Sequence, residues 1–332
     1  MTRKWKVLLC GYYGMGNLGD ELLAFSAISL LKNCGLKESD IAMLSGNPEE
    51  TFKTHHVTSF DRWNALTVLK ALLSSETLLM GGGGIFQDTT SIRSPWYYWG
   101  IMRAARLCGC RVWAVGQSVG PLNRRGSRLA ARSAYRCCSI VSVRDKSSAD
   151  FLKGNCILSD DLVLAVPRRK TSDLQPEYFL INLRRTKSGL EYKAAEVAAA
   201  LRMPAGIKRV GIAFDRDDEV FMKELSDDGI ISFDEFFTPQ IGNLREIFSK
   251  ASGAFGMRLH FGVLCLRYEV PCTLVPYAPK VADFASRWGA EVWQSGKIEM
   301  PKKWKFSSEL DKAYNTVRED FSGCFKKVFP DS

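Results

Sequence analysis

The sequence predicts an α/β protein made of two doubly wound, Rossmann-like domains facing a cleft. Three observations carry that expectation. Strand-like and helix-like patterns alternate along nearly the whole 332-residue chain, a rhythm that calls for parallel sheets covered by helices on both faces. The rhythm breaks once, at "AVPRRKTSDLQPE" (165–177), where Pro, Ser and charge replace periodicity as they do in a linker. Several strands also end in glycine-rich or charged stretches, at the carboxyl edge where such sheets bind ligands. The expected division is 1–165, 166–305, and a C-terminal helix over 306–332 that packs back on the first domain.

In order, "WKVLLCG" reads as a strand and "GDELLAFSAISLLKNCG" as a helix closed by Gly35. "DIAMLSG" and "ETLLMGGGG" are strands, and "SPWYYWGIMRAARLCG" has helical spacing. The strand "RVWAVGQ", a helix near 127–137 and the strand "SIVSVRD" finish the first half. After the linker come the strand "EYFLINLR", the helix "EYKAAEVAAALR", the strand "KRVGIAF" and a helix near 239–251. The strand "GAFGM", the helix "RLHFGVLCLRY", the strand "VPCTLVPY" and the helix "KVADFASRWG" complete the second half.

The hydrophobic fraction of 46% and charged fraction of 25% are those of a soluble globular protein. No apolar run approaches the ~18 residues of a membrane span. "MTRKWKVLLCG" imitates a signal peptide, but its apolar core is far shorter than the roughly 7 to 15 residues a signal needs. The ten cysteines are scattered and lack zinc-ligand spacing, so reduced thiols in a cytoplasmic protein and no metal are expected. The net charge of +10 asks for anionic company. Its most distinctive stretches interleave with aromatics, "RKWK" (3–6), "KKWKF" (302–306) and "FKKVF" (325–329), and read either as solvated lysines or as contacts with an anionic membrane. The spread of Lys and Arg does not point to nucleic acid.

Gly14, Gly16 and Gly19 match the dinucleotide fingerprint. The tip of the second strand, however, carries Ser45, Gly46 and Asn47 where a ribose-binding acid belongs, and Asp20 and Glu21 open the helix where a pyrophosphate would settle. Nicotinamide cofactors are therefore disfavoured, and Gly14, Asn17 and Asp20 either line a different ligand or make a tight turn. "GGGGIFQD" (81–88) offers bare backbone at Gly83 and Gly84, followed by Gln87 and Asp88, groups suited to a polyol; the bland alternative is a crossover capped by Asp88. "GQSVGP" places Gln117 at another strand end, and "SVRD" places Arg144 beside Asp145, to pair with it or to bind a ligand. Arg184, after "INL", binds an anion or pairs with a surface acid.

The chain has only three histidines, and His55 and His56 share a polar stretch. The third stands in "GAFGMRLHFG", where Arg258, Leu259 and His260 open a helix. A helix N-terminus with unpaired N–H groups and an arginine makes a site for phosphate or carboxylate, and an imidazole beside it can donate a proton. A buried structural histidine is the usual alternative.

The stretches "GYYGMGNLGDE", "GGGGIFQDTTSIRSPWYY", "GQSVGPL", "SVRDKSSADFL", "GMRLHFGVL" and "VPYAPKVADFASRWG", in this order, resemble the polysaccharide pyruvyl transferases of the CsaB type. The resemblance covers nearly the whole chain and implies a two-domain architecture similar to GT-B glycosyltransferases. It implies transfer of the enolpyruvyl carbons of phosphoenolpyruvate onto two hydroxyls of one sugar, giving a cyclic ketal. For CsaB-type members that sugar is N-acetylmannosamine in secondary cell-wall polysaccharide precursors, the polymers that anchor S-layers. By this resemblance Arg258, Leu259 and His260 contact phosphoenolpyruvate and Asp88 lies on the acceptor side.

The residues then divide into catalytic His260 and Asp88; donor-binding Arg258, Leu259, Arg184, Arg144 and Lys280; and acceptor-binding Gly14, Asn17, Asp20, Gly83, Gly84, Gln87 and Gln117. No cofactor is expected. The acceptor is a sugar or a lipid-linked precursor. Two departures stand out: the family commonly has "YDPK" where this chain has Tyr277-Ala278-Pro279-Lys280, and "ADP" where it has Ser159-Asp160-Asp161. Two other readings share parts of the pattern. A GT-B glycosyltransferase using a nucleotide sugar would share the fold and the strand-end glycines. A non-enzymatic binder of anionic surfaces would leave "GGGG" and "RLH" without a role.

Overall fold

The computed structural model describes residues 3–89, 91–166, 175–305 and 307–330. The chain forms two compact units, Met1–Val166 with Lys312–Ser332, and Pro167–Asp311. Most of the linker segment expected at 165–177, residues 167–174, lies outside the described residues.

The first unit begins with β1 (Trp5–Cys10), α1 (Leu18–Asn33), β2 (Ile41–Ser45), α2 (Pro48–His55), β3 (Thr58–Asp61), α3 (Ala65–Leu73) and β4 (Ser75–Met80). It continues with β5 (Gly83–Phe86), α4 (Ser94–Leu107), β6 (Arg111–Val119), α5 (Arg125–Tyr135), β7 (Cys138–Val143), α6 (Lys146–Phe151) and β8 (Ile157–Leu158). The sheet order is β3-β2-β1-β4-β6-β7-β8, with β5 also paired to β6. Every pairing is parallel. The chain runs outward from β1 to β3 and returns to β4, so the strand order reverses between β1 and β4. A parallel sheet covered on both faces needs apolar side chains on both, and β1 and β6 supply them as nearly unbroken buried runs.

The second unit contains β9 (Tyr178–Asn182), α7 (Leu190–Ala200), β10 (Lys208–Ile212), α8 (Arg216–Asp227), β11 (Glu235–Phe237) and α9 (Leu244–Ser249). β12 (Ala251–Gly256), α10 (Leu259–Arg267), β13 (Cys272–Leu274), α11 (Pro279–Trp288) and β14 (Glu291–Val292) follow. Its parallel order is β11-β10-β9-β12-β13-β14, and the reversal falls between β9 and β12. Phe179, Ile181 and Phe255, all at 0% exposure, anchor its core. The last helix, α12 (Leu310–Val328), brings Phe321 and Phe325 within 5.7 and 6.4 Å of the Trp113 ring on β6.

The structure departs from the sequence reading in several places. "GGGG" is not one loop, because Gly83 opens β5 and pairs with β6. The helix expected at 239–251 is only Leu244–Ser249, whereas α8, whose first turn is acidic and whose cap is Asp215, was not anticipated. The basic–aromatic ends are also corrected. Trp5, Trp304, Phe325 and Phe329 are 7% exposed or less, so these rings are core and only the adjoining lysines meet solvent. No described helix is long and apolar enough to cross a membrane.

Candidate active site

At the strand-order reversal of the second sheet, the residues just after β9, β10, β12 and β13 converge. Gly256 ends β12 without a side chain because a Cβ there would lie 2.4 Å from the Phe261 ring, and that close packing lets α10 start almost at once. Arg258 takes the N-cap position of α10 in extended conformation, with Leu259 and His260 opening the helix. The Arg258 side chain makes no cap hydrogen bond to the first turn of α10, whose positive end suits an anion. Asn182, the last residue of β9, fixes this turn: its Oδ1 accepts from Arg258 N at 3.0 Å and its Nδ2 donates to Ile212 O at 2.9 Å.

The Arg258 guanidinium is not a free fork. Its Nε and Nη2 each donate to Asp218 at 2.7 Å, and Nη2 also meets Asp215. Asp215 is the N-cap of α8, accepting from Asp218 N at 2.9 Å. Burial works to raise the Asp215 carboxyl, but the Arg258 charge and the helix N–H outweigh it and hold the group below its usual range. At Asp218 burial wins, and its carboxyl is raised despite Arg258. The phosphate expected at Arg258 therefore meets a guanidinium largely engaged by protein carboxylates. Its Nε and Nη2 face protein carboxylates, and Nη1 alone takes no part in these bonds.

Next to it, Arg184 Nη1 donates to the Tyr277 hydroxyl at 3.1 Å, with the guanidinium 5.2 Å from the ring centroid. Its buried Nε has no hydrogen-bond partner among the described residues. Lys280 stands in the first turn of α11. Burial raises the Tyr277 phenol, yet the charges of Lys280, Arg184 and Arg258 together outweigh it and leave the group below its ordinary value. Tyr277 is thus a sensor of a strongly positive locality, and it is the site residue that sequence reasoning passed over. The signal was in plain view as the residue before "APK". Ala278 is the N-cap of α11 and supplies no cap, whereas an aspartate at this position would cap the helix and lower the local positive charge. An ultraviolet titration should show one phenolate forming at lower pH than ordinary tyrosine. That signal should vanish in Tyr277→Phe and move up in Arg184→Gln; an unmoved transition in Arg184→Gln would contradict the charge assignment.

Leu259 is 6% exposed, so its side chain belongs to the core and only its backbone N–H can face a ligand. His260 is half-buried on the first turn of α10, four residues from Gly256.

At the reversal of the first sheet, Gly14 requires its glycine. Its φ is +68°, and a Cβ would lie 1.9 Å from Ser45 Oγ. Gly14 N donates to Glu21 Oε1 at 2.7 Å, and Glu21 Oε2 meets the buried His55 Nε2 at 2.9 Å, a dyad that the polar look of "HH" concealed. Asn17 caps α1, accepting from Asp20 N at 3.3 Å. Asp20 Oδ1 approaches the Cβ position of Gly83 (φ +122°) at 3.4 Å, so the loops after β1 and β4 meet around one carboxylate. Gly81 and Gly82 are closed against Tyr13 and Leu23, while Gly84 and Gln87 keep partial exposure, with Gln87 Oε1 accepting from Thr89.

Three residues expected at a ligand are committed elsewhere. Gln117 is fully buried, donating to Met80 O and accepting from the Tyr135 hydroxyl at 3.0 Å, which ties β4 and α5 to β6. Arg144 forms a sealed pair with Asp161 at 2.5 Å, their side chains 4% and 5% exposed, rather than binding a donor or Asp145. Asp145 instead caps α6. Asp88 accepts from Asn123 N at 2.8 Å and Arg124 N at 2.9 Å. Burial raises its carboxyl, but those N–H groups and the Arg124 charge lower it further, which makes it a weak proton acceptor. Asp88 is a loop clamp, the blander of the two readings.

Among the described residues no group of three or more His, Cys, Asp or Glu side chains could hold a metal ion.

Two parallel sheets, each with its reversal point loaded with polar residues at the carboxyl edge, define an α/β protein of GT-B type. Solved structures share this fold: a UDP-GlcNAc 2-epimerase from Neisseria meningitidis (TM-score 0.56, 10% identity, 98% of each chain covered) and one from Methanocaldococcus jannaschii (0.55, 10%, 95% of this chain and 92% of that one). A glycosyltransferase from Rickettsia africae is similar as well (0.53, 8%, 99% and 94%). No curated protein matches the chain significantly. The family model "Polysaccharide pyruvyl transferase" matches residues 17–279. The chain belongs to the polysaccharide pyruvyl transferase family and is a transferase.

Proposed function

We propose that the chain transfers the enolpyruvyl group of phosphoenolpyruvate to two hydroxyls of one sugar, with release of phosphate. The observation that carries this reading is the cationic cluster of Arg184, Lys280 and the remaining edge of Arg258 around Tyr277, next to the positive start of α10. Phosphoenolpyruvate is small and highly charged, and it needs converging cations more than a large pocket. Arg184 and Lys280 hold the carboxylate, and the α10 N–H groups with Arg258 Nη1 hold the phosphate. Asp215 and Asp218 act as positioning residues that keep the guanidinium in place.

In the reaction a sugar hydroxyl adds at C2 of the enol, and C3 takes a proton to become a methyl group. Phosphate leaves, and the neighbouring hydroxyl closes the ketal on C2. His260 supplies the proton, to C3 or to the departing phosphate. Asp20, facing Gly83, replaces Asp88 as the candidate carboxylate on the acceptor side. The acceptor lies along Gly14, Gly83, Gly84 and Gln87. The resemblance to CsaB-type enzymes supports N-acetylmannosamine of a cell-wall polysaccharide precursor, free or lipid-linked, as that acceptor. Ten free thiols support a reducing, cytoplasmic setting.

Purified protein given phosphoenolpyruvate and an N-acetylmannosamine acceptor should release phosphate while the acceptor gains one pyruvyl ketal in mass. Consumption of a nucleotide sugar in place of phosphoenolpyruvate would overturn the assignment and favour a glycosyltransferase. No metal or cofactor is required in this chemistry, so turnover should survive EDTA unchanged; its loss, restored by a divalent cation, would contradict that part.

A further inference from the structure

Helices α3, α4 and α5 pack through Val68, Leu72, Ile101, Met102, Ala131 and Ala134 into one core on one side of the first sheet. A helix covering a sheet normally turns an apolar stripe inward and a polar face outward. α3 does not. With Val68, Ala71 and Leu72 buried, its outer side carries Leu66, Leu69 and Leu73, exposed by 71%, 44% and 56%. Trp63 before α3 is 61% exposed, Leu107 at the end of α4 90%, and Leu129 on α5 66%. Between α3 and α4 lies a mainly apolar hollow of about 460 Å³ lined by Trp63, Leu69, Leu72, Tyr97 and Ile101, with Arg62 the one charged residue in its lining.

The charges on these helices are equally one-sided. Lys70, Arg103, Arg106, Arg125, Arg128 and Arg132 are all exposed, and the three helices contain no Asp or Glu. The nearest acids in sequence around α3, Asp61 and Glu76, belong to the flanking strands β3 and β4. Exposed apolar area of this extent marks a contact surface. Leucine and tryptophan interspersed with arginine and lysine fit a surface that is negative outside and hydrocarbon a few ångströms in. A second copy docked face to face by two-fold symmetry would set these cations against one another. A nucleic acid would meet the arginines and leave the leucines in water.

We propose that the outer face of α3, α4 and α5 docks on an anionic phospholipid bilayer. Leu66, Leu69, Leu73 and Trp63 enter the headgroup–acyl boundary, the hollow between α3 and α4 receives acyl methylenes, and the six cations pair with lipid phosphates. This goes beyond the transfer reaction and does not depend on it, because none of these residues belongs to the candidate site.

The test is co-sedimentation of the full chain with phosphatidylcholine vesicles, with and without about one third phosphatidylglycerol. The wild type should bind the anionic vesicles, weakly or not at all the neutral ones, and release as salt is raised. Leu66→Ser/Leu69→Ser/Leu73→Ser and Arg103→Glu/Arg106→Glu should each lower the partition coefficient at least about tenfold. Their circular dichroism and thermal midpoints should match the wild type, as should phosphate release with a water-soluble acceptor in the absence of vesicles. As an independent readout, brominated acyl chains should quench tryptophan emission, and Trp63→Phe should lose part of that quenching. Absence of binding to anionic vesicles, full binding by both multiple variants, or a dimer in solution that the leucine variant dissociates would each overturn the proposal. Vesicle binding by a chain inactive toward phosphoenolpyruvate would leave this proposal standing and remove the assigned reaction instead.

Discussion

Replacing His260 with alanine should lower kcat by about 10²–10⁴-fold while KM for phosphoenolpyruvate changes little and the thermal midpoint stays in place. Its backbone sits on the first turn of α10, directly after the Arg258 cap, and its side chain is half-buried. The cations needed to bind a triply charged donor are already present in Arg184, Lys280 and Arg258, so the imidazole is not needed for binding. What these cations cannot do is deliver a proton, because guanidinium and ammonium hold theirs too tightly near neutrality. Loss of the imidazole should therefore appear in the chemical step. A raised KM with unchanged kcat would reassign His260 to ground-state binding. By contrast, Arg184→Gln should raise KM first, since it removes the guanidinium stacked on Tyr277.

The largest effect on stability should come from Arg258→Ala. The Arg258 side chain is 11% exposed and Asp218 1%, so truncation leaves a carboxylate sealed in the protein without its counter-charge, with Asp215 half-stripped beside it. Breaking a buried pair on one side costs about 3–5 kcal/mol, a large part of an ordinary domain's stability. Urea unfolding measures it directly. The pH dependence follows from Asp218, whose folded carboxyl is already raised by burial. A raised folded value stabilises below the unfolded carboxylate range, and that contribution is lost as pH rises toward the folded value. The Arg258→Ala defect should thus be mildest in acid and grow toward neutrality. Arg258→Met/Asp218→Asn should recover much of the loss, because the sealed carboxylate is gone and only the more exposed Asp215 is left without its guanidinium. A single variant within about 1 kcal/mol of wild type would mean that the pair is solvated and that Asp218 does not position the guanidinium.

Much of the architecture was legible because parallel strands buried on both faces write themselves as continuous apolar runs. "KVLLC", "RVWAVGQSV" and "YFLIN" became β1, β6 and β9. α8 was missed although it buries Asp218, Phe221, Met222 and Leu225 at i, i+3, i+4 and i+7, because the charges of "RDDEVFMKELSD" around that stripe mask it. β5 was missed because glycine carries no strand signal, yet Gly83 and Phe86 pair with β6. Within the site, Arg184, Arg258 and His260 were read from their places after strands or at a helix start, and Lys280 entered only with the family resemblance. Gln117, Arg144 and Asp88 stood in equally suggestive places, but Gln117 and Arg144 are buried against protein partners and Asp88 accepts from the backbone N–H groups of Asn123 and Arg124 near the surface.

Most of the strand–helix alternation, the two sheets' glycine-rich and arginine-bearing ends, and the family were determined by the sequence alone. These are local or periodic properties, written within a few residues of one another. Which polar groups remain available to a ligand was decided only by the tertiary structure, through Asp215 and Asp218 on Arg258, Asp161 on Arg144 and Tyr135 on Gln117. Those partners lie 17 to 43 positions away along the chain. A charge or a hydrogen bond is satisfied by whatever folding brings within about 3 Å, and no short stretch of sequence records that distance.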